Sequence, residues 1–184
     1  MYIYYMNDIL FIKQGRLIRT PIRDMPDSPR FLADVMLGSL AKWLRIMGYD
    51  TLYFRLIDDD ELVRIAKQEH RMLLTRDMGI CKSKKAGDCL LIRSQDTVEQ
   101  IKEVFKIFGA RSGKVISAQR CVSCNGELLL VERSAIFAEV PDYVLWNAKA
   151  FLKCGDCGKV YWEGSHRIMI DAVIAAINKD MEAR

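Results

Sequence analysis

FLADVMLGSLAKWLRIMGYD, residues Phe31 to Asp50, is the stretch on which the reading of this chain turns. An apolar run, Phe31-Leu32-Ala33, stops at an acid, Asp34. Leu37, Leu40, Ala41, Leu44 and Met47 then recur at the i, i+3, i+4 spacing of one helix face. Gly48 stands where a helix C′ residue takes positive φ. The stretch predicts a short strand, a carboxylate at its C-terminal end and a helix turning back. Ligands bind at that end of the strands in open α/β sheets. The rest of the first 115 residues is therefore expected to bring other acids beside Asp34.

The alternation continues outward from there. Thr51 to Phe54 reads as a second strand. A helix opens at the acidic run Asp58-Asp59-Asp60-Glu61, where Asp58 and Glu61 have capping-box spacing, and carries Leu62, Ile65, Ala66 and Glu69. Met72 to Thr75 is a third strand, followed by Arg76-Asp77, and Cys89 to Ile92 a fourth. The next helix takes Thr97 as N-cap, Val98, Ile101, Val104, Phe105 and Phe108 as its apolar face, and Gly109 as its stop. Strands alternating with helices predict an α/β fold: a mostly parallel sheet with helices on both faces.

The flanks read differently. In residues 1 to 29, YIYYM and ILFIK flank Asn7-Asp8, which suits a β-hairpin, and TPIRDMPDSP holds three of the four prolines and reads as a linker. This extension could pair on a sheet edge or stay weakly ordered. Residues 116 to 166 are β-prone, with short runs at Leu128 to Val131 and Val160 to Trp162. In the tail, 167–184, Ile170, Val173, Ile174 and Ile177 share a helix face.

Composition bounds the class. About half the residues are hydrophobic and a quarter charged, as in ordinary globular proteins. There is no run of 18 apolar residues for a membrane span. The start, MYIYYMNDIL, has no basic n-region and carries Asp8, so it is not read as a signal peptide and the cytoplasm is the expected compartment. A net charge of +4 does not by itself demand a nucleic-acid partner. Lys82, Lys84 and Lys85 form a basic cluster after Asp77, which suits either a solvated loop or phosphate contact.

Four of the six cysteines fall in two C-x-x-C pairs, Cys121-Cys124 and Cys154-Cys157. Four thiolates in two knuckles suit a closed tetrahedral Zn²⁺ site, with tight turns at Asn125-Gly126 and Cys157-Gly158. The 29 residues between the knuckles, 125–153, exceed a minimal ribbon and predict an inserted hairpin or helix. Cys81 and Cys89 are expected to be small buried residues.

The acids form a second constellation. If the strands ending at Asp34 and before Asp77 are parallel neighbours, both acids emerge at one edge, together with the helix opened by Asp59 and Asp60. Taken singly, each acid has a structural use, capping a helix or ending a strand in a turn. Together they favour a hard divalent ion, Mg²⁺ or Mn²⁺, one or two of which position water for attack on a phosphodiester. Arg76 could pair with Asp77 or bind phosphate. Trp162 and His166, in WEGSH, could contact RNA by stacking and hydrogen bonding, or pack on the ribbon and cap the last helix.

FLADVMLGSLAKWLRIMGYDTLYF, DDDELVRIAKQEHRMLLTRD, CVSCNGELL, EVPDYV and CGDCGKVYWEGSH together resemble a known family. It is the PIN-like ribonuclease domain with a C-terminal zinc ribbon, found at the C-terminus of Mut-seven-type exonucleases and as stand-alone prokaryotic proteins. The resemblance covers about residues 30 to 168. It implies a PIN-like fold and metal-dependent RNA cleavage, with Asp34, Asp59 (or Asp60 beside it) and Asp77 as the acids. Asp88 and Asp96 are the residues available for a fourth. It further implies a nuclease domain at 30–115, a zinc ribbon at 116–166, RNA as partner and a possible homodimer. A non-catalytic RNA- or ribosome-associated binding module is the alternative.

Overall fold

Strands of three or four residues make few ladder hydrogen bonds, so a sheet built from them depends on burial of both faces. The computed structural model describes residues 11–13, 16–18, 29–83, 85–112, 120–162, 170, 172–177 and 179. Its main sheet is formed by β1 (Phe11–Lys13), β2 (Arg16–Ile18), β3 (Phe31–Ala33), β4 (Thr51–Tyr53), β5 (Met72–Thr75) and β6 (Asp88–Leu91), in the order β2-β1-β6-β5-β3-β4. β6, β5, β3 and β4 are mutually parallel, and β1 runs antiparallel to both β6 and β2. The helices are α1 (Gly38–Ile46), α2 (Asp59–Gln68), α3 (Met78–Lys82) and α4 (Thr97–Ser112).

Strand side chains alternate between the faces, and the two cores show it. Phe31, Ala33, Met72, Leu74, Leu90 and Ile92 face Leu40, Leu44, Ile101, Phe105 and Phe108 of α1 and α4. Leu32, Leu73, Cys89 and Leu91 face Leu62, Val63 and Ala66 of α2 and Ile80 of α3. Each fully buried Leu or Phe contributes ~1.5–3 kcal/mol. The helical residues 172–177 return to the first core, where Ile177 is fully buried and Val173 and Ile174 pack against it. No helix of the described residues is long and apolar enough to cross a membrane.

The order of the strands places a crevice at one edge of the sheet. From β3 the chain crosses by α1 to β4 on one side. It then crosses by α2 to β5 on the other side of β3. The two crossover helices cover opposite faces. The connections leaving the C-terminal ends of β3 and β5 run to α1 and α3 on opposite faces, which makes a crevice between the two strands at that edge.

A second sheet follows, antiparallel, with β7 (Leu128–Val131), β8 (Phe151–Cys154) and β9 (Val160–Trp162) in the order β7-β8-β9. The long insert between the knuckles holds a 3₁₀ turn, Arg133–Ile136, and α5 (Asp142–Asn147). Ile136, Val140, Leu145 and Ala148 pack on Phe151 to form a third core.

Some local expectations need correcting. A hairpin about Asn7-Asp8 lies outside the described residues, and the described hairpin joins β1 to β2. Asp96, not Thr97, caps α4: its Oδ1 accepts from Val98 N at 2.9 Å and from Glu99 N at 3.0 Å, and a carboxylate there satisfies two donors. α4 also runs through Gly109 to Ser112. Gly48 does take positive φ, 90°. Cys81 and Cys89 are fully buried, as expected, but they are joined in a disulfide, with Cα atoms 5.5 Å apart, that ties α3 to β6.

Candidate functional site

Three connections leave the C-terminal edge of β3, β4 and β5. Asp34 is only 5% exposed, and both its carboxylate oxygens are held. Oδ1 accepts from Val35 N at 2.5 Å and Oδ2 from the Thr75 hydroxyl at 2.6 Å. The Asp34 N–H donates to Leu74 O at 2.9 Å. The same Thr75 hydroxyl accepts from Asp77 N at 3.0 Å. One fully buried hydroxyl therefore links the Asp34 carboxylate to the start of α3, across the crevice. Thr75 carries no sign of this in the sequence beyond closing the strand two residues before Asp77.

Asp77 is exposed, and its Oδ1 accepts from Gly79 N at 2.6 Å and Ile80 N at 3.3 Å as the N-cap of α3. Asp58 is the N-cap of α2, accepting from Glu61 N at 2.8 Å. Asp59 and Asp60 are thereby free of capping and stand exposed in the first turn, with Lys85 Nζ 4.0 Å from Asp60. Asp34, Asp59, Asp60 and Asp77 share this edge. Among the described residues, however, the only group of three or more His, Cys, Asp or Glu gathered closely enough for one ion is the cysteine cluster. Asp88 sits at the start of β6, on the opposite edge, and Asp96 is committed to its cap.

The cationic candidates divide. Arg76 has a buried Nε without a hydrogen-bond partner, a costly condition for a donor. Lys82 is exposed in the last turn of α3, and Lys85 lies near Asp60. Lys84 and His166 lie outside the described residues. Trp162 ends β9 opposite Phe151 and is 43% exposed.

The cysteine cluster is built by the knuckle turns. Asn125 and Gly158 take φ of 75° and 73°. A Cβ on Gly126 would lie 2.8 Å from Cys154 Sγ, so only glycine lets the backbone pass there. The four sulfurs lie within 4.8 Å of one another, with Cys121–Cys157 at 3.5 Å and Cys124–Cys154 at 3.4 Å. A Zn–S bond of about 2.3 Å places tetrahedral sulfurs about 3.8 Å apart, so the donor set suits zinc. Burial raises the Cys121 pKa, but hydrogen bonds from Tyr161 Oη, 3.0 Å away, and from backbone N–H groups bring it to about 6. Desolvation and the neighbouring thiols push Cys124 up to about 12. One thiolate is comfortable here; further charge beside it calls for a cation.

The cluster docks at the N-terminal edge of the sheet, away from the acids. Asn125 Oδ1 accepts from Thr51 N at 2.9 Å, and Asn125 Nδ2 donates to Asp50 Oδ1 at 2.7 Å. Arg45, 4% exposed, donates to Thr51 O, Val122 O and Ser123 O at 2.8, 2.9 and 3.3 Å. Burial lowers the pKa of this guanidinium, and the charges of Cys121 and Cys124 oppose that. The three-residue strands separate the two edges by about 10 Å at ~3.3 Å per residue. No local pattern reveals this network, because its partners are 74 to 78 residues apart.

Asp50 is its electrostatic centre. Burial alone would raise its pKa, but hydrogen bonds from Arg71 and Asn125, the Arg71 charge and Arg30 hold it at about 2, against an ordinary 3.8. A depressed carboxylate contributes stability that is present above its unfolded pKa and lost as pH falls through the folded one. The 19%-exposed Asp50 side chain should thus contribute about 2 kcal/mol above pH ~4, lost progressively toward pH ~2. Urea midpoints measured from pH 5 to pH 2 should fall more steeply for the wild type than for Asp50→Asn. Parallel curves would show that the network does not hold the charge.

A family model, the Mut7-C RNAse domain, matches residues 29–174, which takes in β3 with Asp34, the acidic edge and both knuckles. Comparison with curated proteins and with solved structures gave no match. With most of its length matched, the chain belongs to the Mut7-C RNAse domain family.

Proposed function

We propose that the chain is a metal-dependent ribonuclease that hydrolyses RNA phosphodiester bonds at the β3/β5 crevice. The observation that carries this is Asp34. It is a buried carboxylate fixed by Thr75 at the divergence of two crossovers, in a chain of an RNAse domain family. An all-carboxylate donor set suits a hard ion, Mg²⁺ or Mn²⁺. Asp34, Asp77 and Asp59 would hold it, with Asp60 as the alternative to Asp59. The bound ion would supply charge neutralisation at the phosphoryl oxygens and a more acidic water. Asp34 arrives with its orientation set by hydrogen bonds to both oxygens, each of which keeps a lone pair. Asp59, exposed in the first turn of α2, would complete the set. Lys82, Lys84 and Lys85 would guide the phosphate backbone, with Arg76, Trp162 and His166 as further RNA contacts.

The four cysteines would hold a structural zinc. In this reading residues 30–115 form the nuclease unit and 116–166 the ribbon. The ribbon's knuckles brace the edge of the sheet opposite the crevice. The second reading, a non-catalytic RNA-binding module, draws on the carboxylates' not being gathered on one point and on the capping role of Asp77.

Labelled single-stranded and structured RNA incubated with Mn²⁺ should be cut, and EDTA should abolish cutting. Asp34→Asn and Asp77→Asn should each lower the rate at least ~100-fold, since even outer-shell partners of metals are worth ~10–100-fold. Cleavage surviving both substitutions would remove the enzyme reading, and RNA binding without cleavage would favour the module. Metal analysis should give about one zinc per chain, as four sulfurs make one tetrahedral site. Cys121→Ser and Cys154→Ser should lose it together with thermal stability; a folded, zinc-free wild type would refute the ribbon.

A further inference from the structure

Part of the exposed apolar surface lies where the acids are, apart from the larger share on the second sheet and its insert. Met36 is 60% exposed, Phe54 37%, Leu56 94% and Met78 38%. They come from three separate connections, after β3, β4 and β5, and all three leave the C-terminal edge. Tyr53 Oη donates to Val35 O at 3.3 Å, which holds the second connection against the first. Single exposed apolar residues are ordinary, but four around one charged crevice mark a contact surface.

Cations are interleaved with them. Arg55 lies between Phe54 and Leu56, is exposed, and has no ion pair or hydrogen bond among the described residues. Arg76, one residue before Asp77, has its Nε buried and unpartnered. An edge that repels phosphates through its acids needs such cations to admit them. A strand carrying phosphates on one side and apolar faces on the other is complementary to this pattern. An A-form duplex is not, because it presents sugars, phosphates and 2′-hydroxyls while its bases stay stacked.

We infer that Met36, Phe54, Leu56 and Met78 form a nucleobase-contact rim that holds the unstacked bases on either side of the phosphate being cut, with Arg55 and Arg76 on the flanking phosphates. This rests on the ribonuclease reading above. Phe54 supplies a ring for stacking. Leu56, almost wholly in water, is placed to enter between two bases. The methionines adapt to whichever base arrives.

The test uses the zinc-loaded full chain and a single-stranded oligoribonucleotide whose cut position has been mapped. A second oligonucleotide is identical but abasic at the two positions flanking the cut. For the wild type the abasic substrate should raise KM about 10-fold, since stacking one base is worth at least that order. The double variant Phe54→Ser/Leu56→Ser should raise KM about as much on the intact substrate, with a smaller effect on kcat, and should gain little further penalty on the abasic one. Met36→Ser, on another connection, is the second variant should the first fail to fold. Equal KM for intact and abasic substrates, with cleavage retained, would overturn the rim and leave the ribonuclease reading standing. If no RNA is cut, the ribonuclease reading fails, and fluorescence anisotropy of the two oligonucleotides decides the rim alone: tighter binding of the intact strand supports it, and equal binding overturns it. Sedimentation showing a dimer that the double variant disrupts, with KM unmoved, would assign the surface to a second copy of the chain and also overturn it.

Discussion

The parallel pairing of β3 with β5 is the constraint on which the rest of this structure depends. Ala33 stands opposite Leu74, so Asp34 falls beside Thr75 as the two strands end. The Thr75 hydroxyl then donates to the Asp34 carboxylate and accepts from the Asp77 N–H. A slip of one residue would point each side chain at the other face. It would carry Leu73 and Leu74 into the wrong cores and separate the hydroxyl from both acids. Packing and chemistry are thus fixed by the same register. The cores on both faces make the register rigid, and the rigidity holds the buried Asp34 carboxylate in place.

The zinc-type cluster secures the other end of the same strands. Asn125 exists in its left-handed conformation because a knuckle turn requires it, and that conformation aims its amide at Thr51 N and Asp50. Arg45 lies buried between the thiols and the strand end, a positive charge beside sulfurs that would be negative when liganded. The chain then returns, and Ile177 seals the core under Phe31 and Phe108. Holding the far edge in this way leaves the acidic edge open. There the connections carry exposed cations and apolar side chains.

Much of this was legible in the sequence because its signals were local. The strands β3, β5, β7 and β9, the Asp58 cap, the positive φ of Gly48 and the paired knuckles are each written within a few residues. The emergence of Asp34 and Asp77 at one edge follows from the alternation once β3 and β5 are parallel neighbours, which they are. What escaped was non-local. Of the two alternatives for residues 1 to 29, β1 takes the sheet edge, but its choice of β6, the Cys81–Cys89 bond and the Asp50–Asn125–Thr51 contacts join residues whose types alone predict no partner. The misplaced cap of α4 was a near miss: Asp96 and Thr97 are both capping types, and the carboxylate reached two N–H groups at once. In the sequence Thr75 is only the last residue of a strand, because its two hydrogen-bond partners belong to the neighbouring connection and to the turn beyond it.

In the proposed function Asp34 and Asp77, held across the crevice by Thr75, form a divalent-ion site. Electron paramagnetic resonance of Mn²⁺ titrated into the zinc-loaded protein addresses it without RNA or turnover. The free Mn²⁺ signal should be lost saturably with the wild type and little or not at all with Asp34→Asn. Equal Mn²⁺ binding by the two proteins would contradict it.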